Sequence, residues 1–260
     1  MADEPLIAVF IDYENLAIGV GDMPGKKRQD LDIGLVLKRL LEKGRVVVKR
    51  AYCDWGQYQD AVRSLHQQGV LLIDTPKSRM SGKNSADIRV VVDALDQCFS
   101  RDHIDTFALL SGDSDFSPLV YKLKELDKWV IGCGVKSSTS QLLVSSCDEF
   151  IFYDDLVRHA ADRPRPARST SRKPKSPEDD KREEAIEQLM EVIRALSRDY
   201  ERVWGSMIKQ TIGRVNPGFN LEAYGYKSFV ELLRDLAARG LIELKEDTER
   251  GNQLVRLKDA

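Results

Sequence analysis

Two short apolar runs in this chain stop abruptly at carboxylates, and that pattern leaves few folds open to it. Leu6-Ile7-Ala8-Val9-Phe10-Ile11 runs into Asp12-Tyr13-Glu14-Asn15, and Phe107-Ala108-Leu109-Leu110 runs into Ser111-Gly112-Asp113-Ser114-Asp115-Phe116. Continuous aliphatic runs of this length read as strands buried on both faces, as in a parallel sheet. Further strand-like runs at 45–52, 70–73, 129–132 and 150–152 alternate with segments at 31–42, 57–67, 86–99 and 116–126 whose apolar residues recur every three or four positions. The alternation predicts an α/β fold, a parallel sheet with helices on both faces. If the chain reverses across the sheet after its third strand, the first and fourth strands are neighbours and their carboxyl ends frame the ligand crevice. Asp12, Asp113 and Asp115 then converge, and crowded carboxylates repel unless a proton or a cation neutralises them.

The rest of the chain changes character twice. Residues 159–180 interleave Arg163, Arg165, Arg168, Arg172, Lys173 and Lys175 with Pro164, Pro166, Pro174 and Pro177. Such a composition predicts an extended, disordered linker between a domain at 1–158 and another at 181–260. In the second domain, helical patterns at 183–196, 206–214 and from Ser228 to a Gly240 stop precede two strand-like segments, 241–244 and 253–257, around a turn containing Gly251-Asn252. Three helices and a β-hairpin form the winged-helix pattern, a small module that binds nucleic acid or protein. The balance of 40 basic and 42 acidic residues excludes a globally basic nucleic-acid coat while allowing local patches. Cys53, Cys98, Cys133 and Cys147 are scattered without a C-x-x-C pair, as small core residues of a reducing compartment are. Neither a signal peptide nor a membrane-length apolar stretch is found, so a cytoplasmic protein is expected.

The chemistry-bearing residues extend the acidic set. Asp87 stands where a Gly-containing loop enters a helix after the third strand, at the same edge of the sheet. Asp93 lies about 240° further round an ideal helix and cannot share its face. Asn15 can offer a neutral oxygen or a hydrogen bond, and Ser111 can orient a water. Each aspartate alone can serve as a turn or cap residue, Asp115 capping the helix near Phe116, but the set together predicts a divalent-metal site of oxygen ligands. Lys77, Arg79 and Lys83 before Asp87, and Lys136 at a serine-rich helix entry, are candidate phosphate contacts. Tyr13 and Trp55 could stack an unpaired base, although aromatics in such positions more often pack in the core or at its rim. Lys209, Arg214, Tyr224, Tyr226 and Lys227 form a basic and aromatic group in the second domain, with Arg250 and Arg256 on the wing. His66, His103 and His159 have no partner motif and read as surface or packing residues.

Asp12-Tyr13-Glu14-Asn15, Ser85-Ala86-Asp87 and Ser111 to Phe116, in this order and spacing, resemble the NYN domain, the PIN-like nuclease family that includes the bacterial LabA-like proteins. The resemblance covers about residues 5–156. Val203-Trp204-Gly205-Ser206-Met207-Ile208-Lys209, Pro217-Gly218-Phe219 and Tyr224-Gly225-Tyr226-Lys227-Ser228-Phe229 are similar to the OST-HTH or LOTUS domain, a winged-helix module of RNA-binding proteins. Together these imply a PIN-like catalytic domain, bacterial in origin, acting as a metal-dependent ribonuclease, in its endonucleolytic form. Asp12, Asp87, Asp113 and Asp115 would hold Mg²⁺ or Mn²⁺, helped by Asn15 and Ser111, and the LOTUS domain would recruit single-stranded or structured RNA. A non-catalytic RNA-binding regulator is the alternative, and a protein partner for the second domain and a homodimer stay open. A HAD-like phosphatase fits poorly, because its D-x-D pair follows the first strand and here the pair follows the fourth.

Overall fold

The computed structural model describes residues 4–76, 85–161, 177–247 and 252–258, with side chains from 181 onward in the third segment. The chain divides into two compact units, one of residues 1–40 and 44–163 and the other of residues 41–43 and 164–260.

The amino-terminal unit is built on β1 (Leu6–Asp12), β2 (Arg45–Cys53), β3 (Leu71–Asp74), β4 (Thr106–Leu110), β5 (Trp129–Gly134) and β6 (Glu149–Phe152). They form one six-stranded sheet in the order β3-β2-β1-β4-β5-β6, and every pairing is parallel. Parallel neighbours need crossovers, and these are α1 (Tyr13–Gly21) with α2 (Ile33–Lys43), α3 (Gln59–Gln67), α4 (Ser85–Ser100), α5 (Ser117–Glu125) and α6 (Gln141–Ser146), with α7 (Tyr153–Ala161) closing the unit. Alternation along β1 sorts two cores. Ile7, Val9 and Ile11 pack with residues of α1, α2 and α3, whereas Ala8 and Phe10 pack with Val90, Ala94 and Cys98 of α4 and Leu119, Val120 and Leu123 of α5. Strand order reverses between β1 and β4, where Ile11 pairs with Leu110, so the next residues, Asp12 and Ser111, emerge side by side.

The carboxyl-terminal unit holds α8 (Pro177–Asp199), β7 (Val203–Trp204), α9 (Gly205–Val215), α10 (Phe229–Ala238), β8 (Ile242–Asp247) and β9 (Asn252–Leu257). Its sheet runs β7-β9-β8, all antiparallel, over a core that includes Leu189, Ile193, Ile208, Ile212, Leu232 and Leu236. Helix occupies both margins of the stretch that composition marks as linker: α7 continues through Ala161 and α8 starts at Pro177. Proline suits a first helical turn, because it lacks only an N–H that would have no partner there and its φ is preset. Residues 162–176 and the wing residues Arg250 and Gly251 lie outside the described residues. No helix among the described residues is long and apolar enough to cross a membrane.

Candidate functional site

Asp12 ends β1 and caps α1, its Oδ1 accepting the Asn15 N–H at 3.2 Å. The Ser111 hydroxyl donates to its Oδ2 at 3.1 Å, and the same hydroxyl accepts the Asp113 N–H at 3.2 Å. Asn15 in turn takes the Gly112 N–H on its Oδ1 at 2.8 Å, which ties the start of α1 to the loop after β4. Two strand ends are thus stitched by the side chains D-x-x-N and S-G-D, and both signatures have a local geometric cause. Asp113 accepts the Asp115 N–H at 3.0 Å and caps the short 3₁₀ turn Ser114–Phe116, so Asp113 is the capping residue and Asp115 an exposed member of the turn.

The loop after β4 can lie this close only because residue 112 is glycine. A Cβ there would stand 2.8 Å from the Ser138 carbonyl oxygen and 3.0 Å from Thr139 Cα, both backbone atoms that cannot swing away. The loop between β5 and α6 braces this turn, Ser140 donating its N–H to the Gly112 carbonyl at 2.9 Å while its hydroxyl caps α6. That bracing was legible only as a serine at a helix entry, a signal that reads equally as a phosphate contact.

Electrostatically the site centres on Asp12. Burial raises its pKa from 3.8 to about 7 against the hydrogen bonds from Asn15 and Ser111, and the nearby charges of Asp87 and Asp113 push the same way. Asp87, in the first turn of α4, and Asp113 therefore act on Asp12 as the sequence expects. Asp115 shares a groove with Asp87 and does not figure among the charges that set the Asp12 proton affinity. Among the described residues no three His, Cys, Asp or Glu side chains are drawn close enough to grip one ion. Oxygen donors from three elements around a carboxyl reluctant to ionise nonetheless suit a hard cation, since Mg²⁺ commonly takes one or two carboxylates and fills its shell with waters and substrate phosphates.

Other candidates separate. Asp93 is buried away from this set, receiving the Tyr52 hydroxyl at 2.9 Å and pairing with Arg89 at 3.1 Å and Arg50 at 3.4 Å. Tyr13 and Trp55 are buried, with ring centroids 5.3 Å apart, so they are core and not base-stacking residues. Lys136 forms an ion pair with Asp155 at 2.8 Å and lies over the Phe152 ring. Lys77, Arg79 and Lys83 lie outside the described residues. In the second unit Tyr226 is buried with its hydroxyl donated to Asp235 at 2.6 Å, and Tyr224 packs on Phe219, because the helix-rich core needs aromatic fill there; Lys209 and Lys227 are exposed. His66, His103 and His159 are all exposed, and Cys53, Cys98 and Cys133 are buried free thiols.

The family model for the NYN domain matches residues 6–154, which takes in all of β1 through β6 and every member of the acidic set. The chain belongs to the NYN domain family. NYN domains are nuclease-related, RNA-linked domains, so RNA and phosphodiester chemistry are the family context of this crevice. An uncharacterized protein of Methanocaldococcus jannaschii is 28% identical over 148 residues, 57% of this chain and 55% of that protein. The chain thus spans about half the length of the curated relative it matches. A crystal structure of a protein of unknown function from Vibrio parahaemolyticus superposes with a TM-score of 0.52 at 24% identity, covering 60% of this chain and 97% of that one, a likeness of fold.

Proposed function

We propose that this NYN protein is a metal-dependent endoribonuclease that uses Mg²⁺ or Mn²⁺ at the crevice between β1 and β4. The observation that carries the reading is the Asp12 carboxyl, held at the switch point of the sheet with its proton affinity raised to about 7 by burial and by Asp87 and Asp113. One or two carboxylates, Asp12 with Asp87 or Asp113, would hold the ion, with waters and substrate phosphate completing its shell and Asp115 at the rim. When bound, a divalent ion supplies charge neutralisation for the phosphodiester and a more acidic water. The chain supplies orientation. Ser111 and the Asn15 N–H fix both oxygens of Asp12, and Asn15 and Ser140 hold the Asp113 loop against it. Binding of the ion would displace the proton that Asp12 shares with solvent near neutrality.

The carboxyl-terminal unit, read as an OST-HTH/LOTUS winged helix, would recruit RNA through exposed cations such as Lys209, Lys227 and Arg256. Its element order, helices followed by an antiparallel hairpin with a third short strand, supports that reading. Buried Tyr226 is a core residue in it.

Cleavage of labelled linear, hairpin and circular RNAs by wild-type, Asp12→Asn and Asp113→Asn proteins, each in Mg²⁺, Mn²⁺ and EDTA, tests the proposal. Metal-dependent cutting that opens the circle and falls by about 100-fold or more in either variant is expected, the usual cost of removing one preorganised charge-stabilising group. Binding without cleavage in any metal would replace the nuclease with a non-catalytic RNA-binding regulator.

A further inference from the structure

A groove of about 590 Å³ runs from Asp87 and Asp115 along Ile88 and Val92 of α4, Tyr121 of α5 and Leu142 of α6. Its wall breaks the amphipathic rule for α4. Val90, Ala94 and Cys98 face the sheet as expected, yet Ile88 and Val92, one helical turn apart on another face, are 62% and 55% exposed. Opposite them Leu142 is 51% and Tyr121 50% exposed. Four large apolar side chains lining one groove form a patch of the kind that marks a binding surface.

Two further details concern the polar atoms of the groove. Tyr121 is held at its hydroxyl, 3.1 Å from the Ser146 oxygen, and Ser146 is buried and bonded to the Leu142 carbonyl at 2.7 Å. The ring is thereby fixed in place while remaining half open. Ser117, also lining the groove, is 2% exposed, and its hydroxyl has no hydrogen-bond partner among the described residues. A buried hydroxyl without a partner is costly and asks for an explanation.

We propose that this groove is a nucleobase subsite, in which the Tyr121 ring stacks an unpaired base next to the phosphate brought to the acidic end. The inference rests on the ribonuclease reading and specifies its substrate as single-stranded RNA. Continuity selects this occupant, because Asp87 belongs both to the groove and to the set acting on Asp12. A ligand filling it must offer a flat apolar body beside a group that tolerates carboxylates only through a divalent cation. A nucleotide within a polynucleotide has both parts. Bases in a duplex are stacked on each other and cannot present a face, so paired RNA is excluded from the groove. Away from the polar end formed by Asp87, Ser114 and Asp115, the groove offers a base only the Ser117 and Tyr121 hydroxyls, so stacking dominates and preference among bases is weak.

The test is binding, followed by 2-aminopurine fluorescence in short single-stranded RNAs and their duplexes, with Mn²⁺ or EDTA, for wild-type, Tyr121→Phe, Tyr121→Ala and Leu142→Ala proteins. Single strands should quench in Mn²⁺ and duplexes should not. Tyr121→Ala should bind about 5- to 150-fold more weakly, Leu142→Ala less so, and Tyr121→Phe should stay within about 3-fold of wild type, with all four melting alike. Equal single-strand binding by wild-type and Tyr121→Ala proteins overturns the subsite even if metal-dependent cleavage persists. Conversely, a quench lost in Tyr121→Ala without any cleavage keeps the subsite and removes the nuclease. Sedimentation showing a wild-type dimer that Tyr121→Ala dissociates would assign the groove to a second copy of the chain and overturn the proposal.

Discussion

Two aspartates of the same unit show how placement sets the role of one side chain. Asp93 is buried but faces Arg50 and Arg89 and takes the Tyr52 hydroxyl, so its charge is balanced within the fold. Asp12 has its pKa raised first by burial and then by the negative charges of Asp87 and Asp113. Asp12 therefore weakens the metal-free fold whenever it ionises. The sign follows from linkage: a carboxyl whose pKa rises from 3.8 to about 7 on folding binds its proton more tightly in the native state. Its contribution is fully present below about pH 4 and is lost as pH rises through 7. The loss is on the order of 4 kcal/mol. In EDTA, Asp12→Asn should therefore melt above wild type at pH 8 and lose that advantage by pH 4. A melting difference that is the same at both pH values would show that Asp12 is not the titrating group. Mn²⁺ at about 100 times its dissociation constant should restore about 2.7 kcal/mol to the wild type and leave Asp12→Asn unchanged, as thermal melts in the two buffers would report.

At the scale of elements, the parts that burial dictates were legible and the parts that contacts dictate were not. β1 and β4 were readable because a strand covered on both faces must be apolar throughout, and their carboxylate endings followed from the switch point. α1 was hidden: Tyr13, Leu16, Ala17 and Val20 carry a helical period, but the polar D-Y-E-N signature covers its first turn and reads as a strand end. Tyr13 and Trp55 read as core or rim packing with base stacking as the alternative, because sequence gives residue type without exposure, and their burial follows from α1 and the turn at 55–57 packing on the same core. The Tyr121 groove left no motif at all, since helical spacing on α4 and α5 says nothing about which neighbour a face lacks. Gly112 carries a prediction at this scale. Replacing it with alanine forces apart the two loops that Ser140 and Asn15 hold together. Gly112→Ala should lose about 1–3 kcal/mol in urea denaturation, the usual cost of overpacking, and lose metal-dependent cleavage beyond what the stability change explains. Wild-type cleavage in a destabilised Gly112→Ala protein would show that the loop's position does not matter to the reaction.

The whole molecule joins two units with separate cores, one on either side of a parallel sheet and one under an antiparallel hairpin. Each core is complete from its own elements, so each unit can carry its own function. The acidic crevice and the Tyr121 groove both lie within the NYN unit, and all the chemistry proposed here is assigned to that unit. In the proposed reading, the exposed cations of the second unit, Lys209 and Lys227, would serve by holding more of the same RNA. Tethering converts the second contact into an intramolecular one and raises apparent affinity without touching the chemical step. A protein ending at residue 163 should thus cleave a short single-stranded RNA at the full-length rate at saturation. On a long RNA its KM should rise by about 10-fold or more while kcat holds, and the gap should shrink as salt weakens phosphate contacts. Steady-state kinetics on matched short and long RNAs at two salt concentrations would measure this. An equal KM for both proteins on the long RNA would point the second unit toward a protein partner, and a collapse of kcat on the short one would mean that it completes the active site.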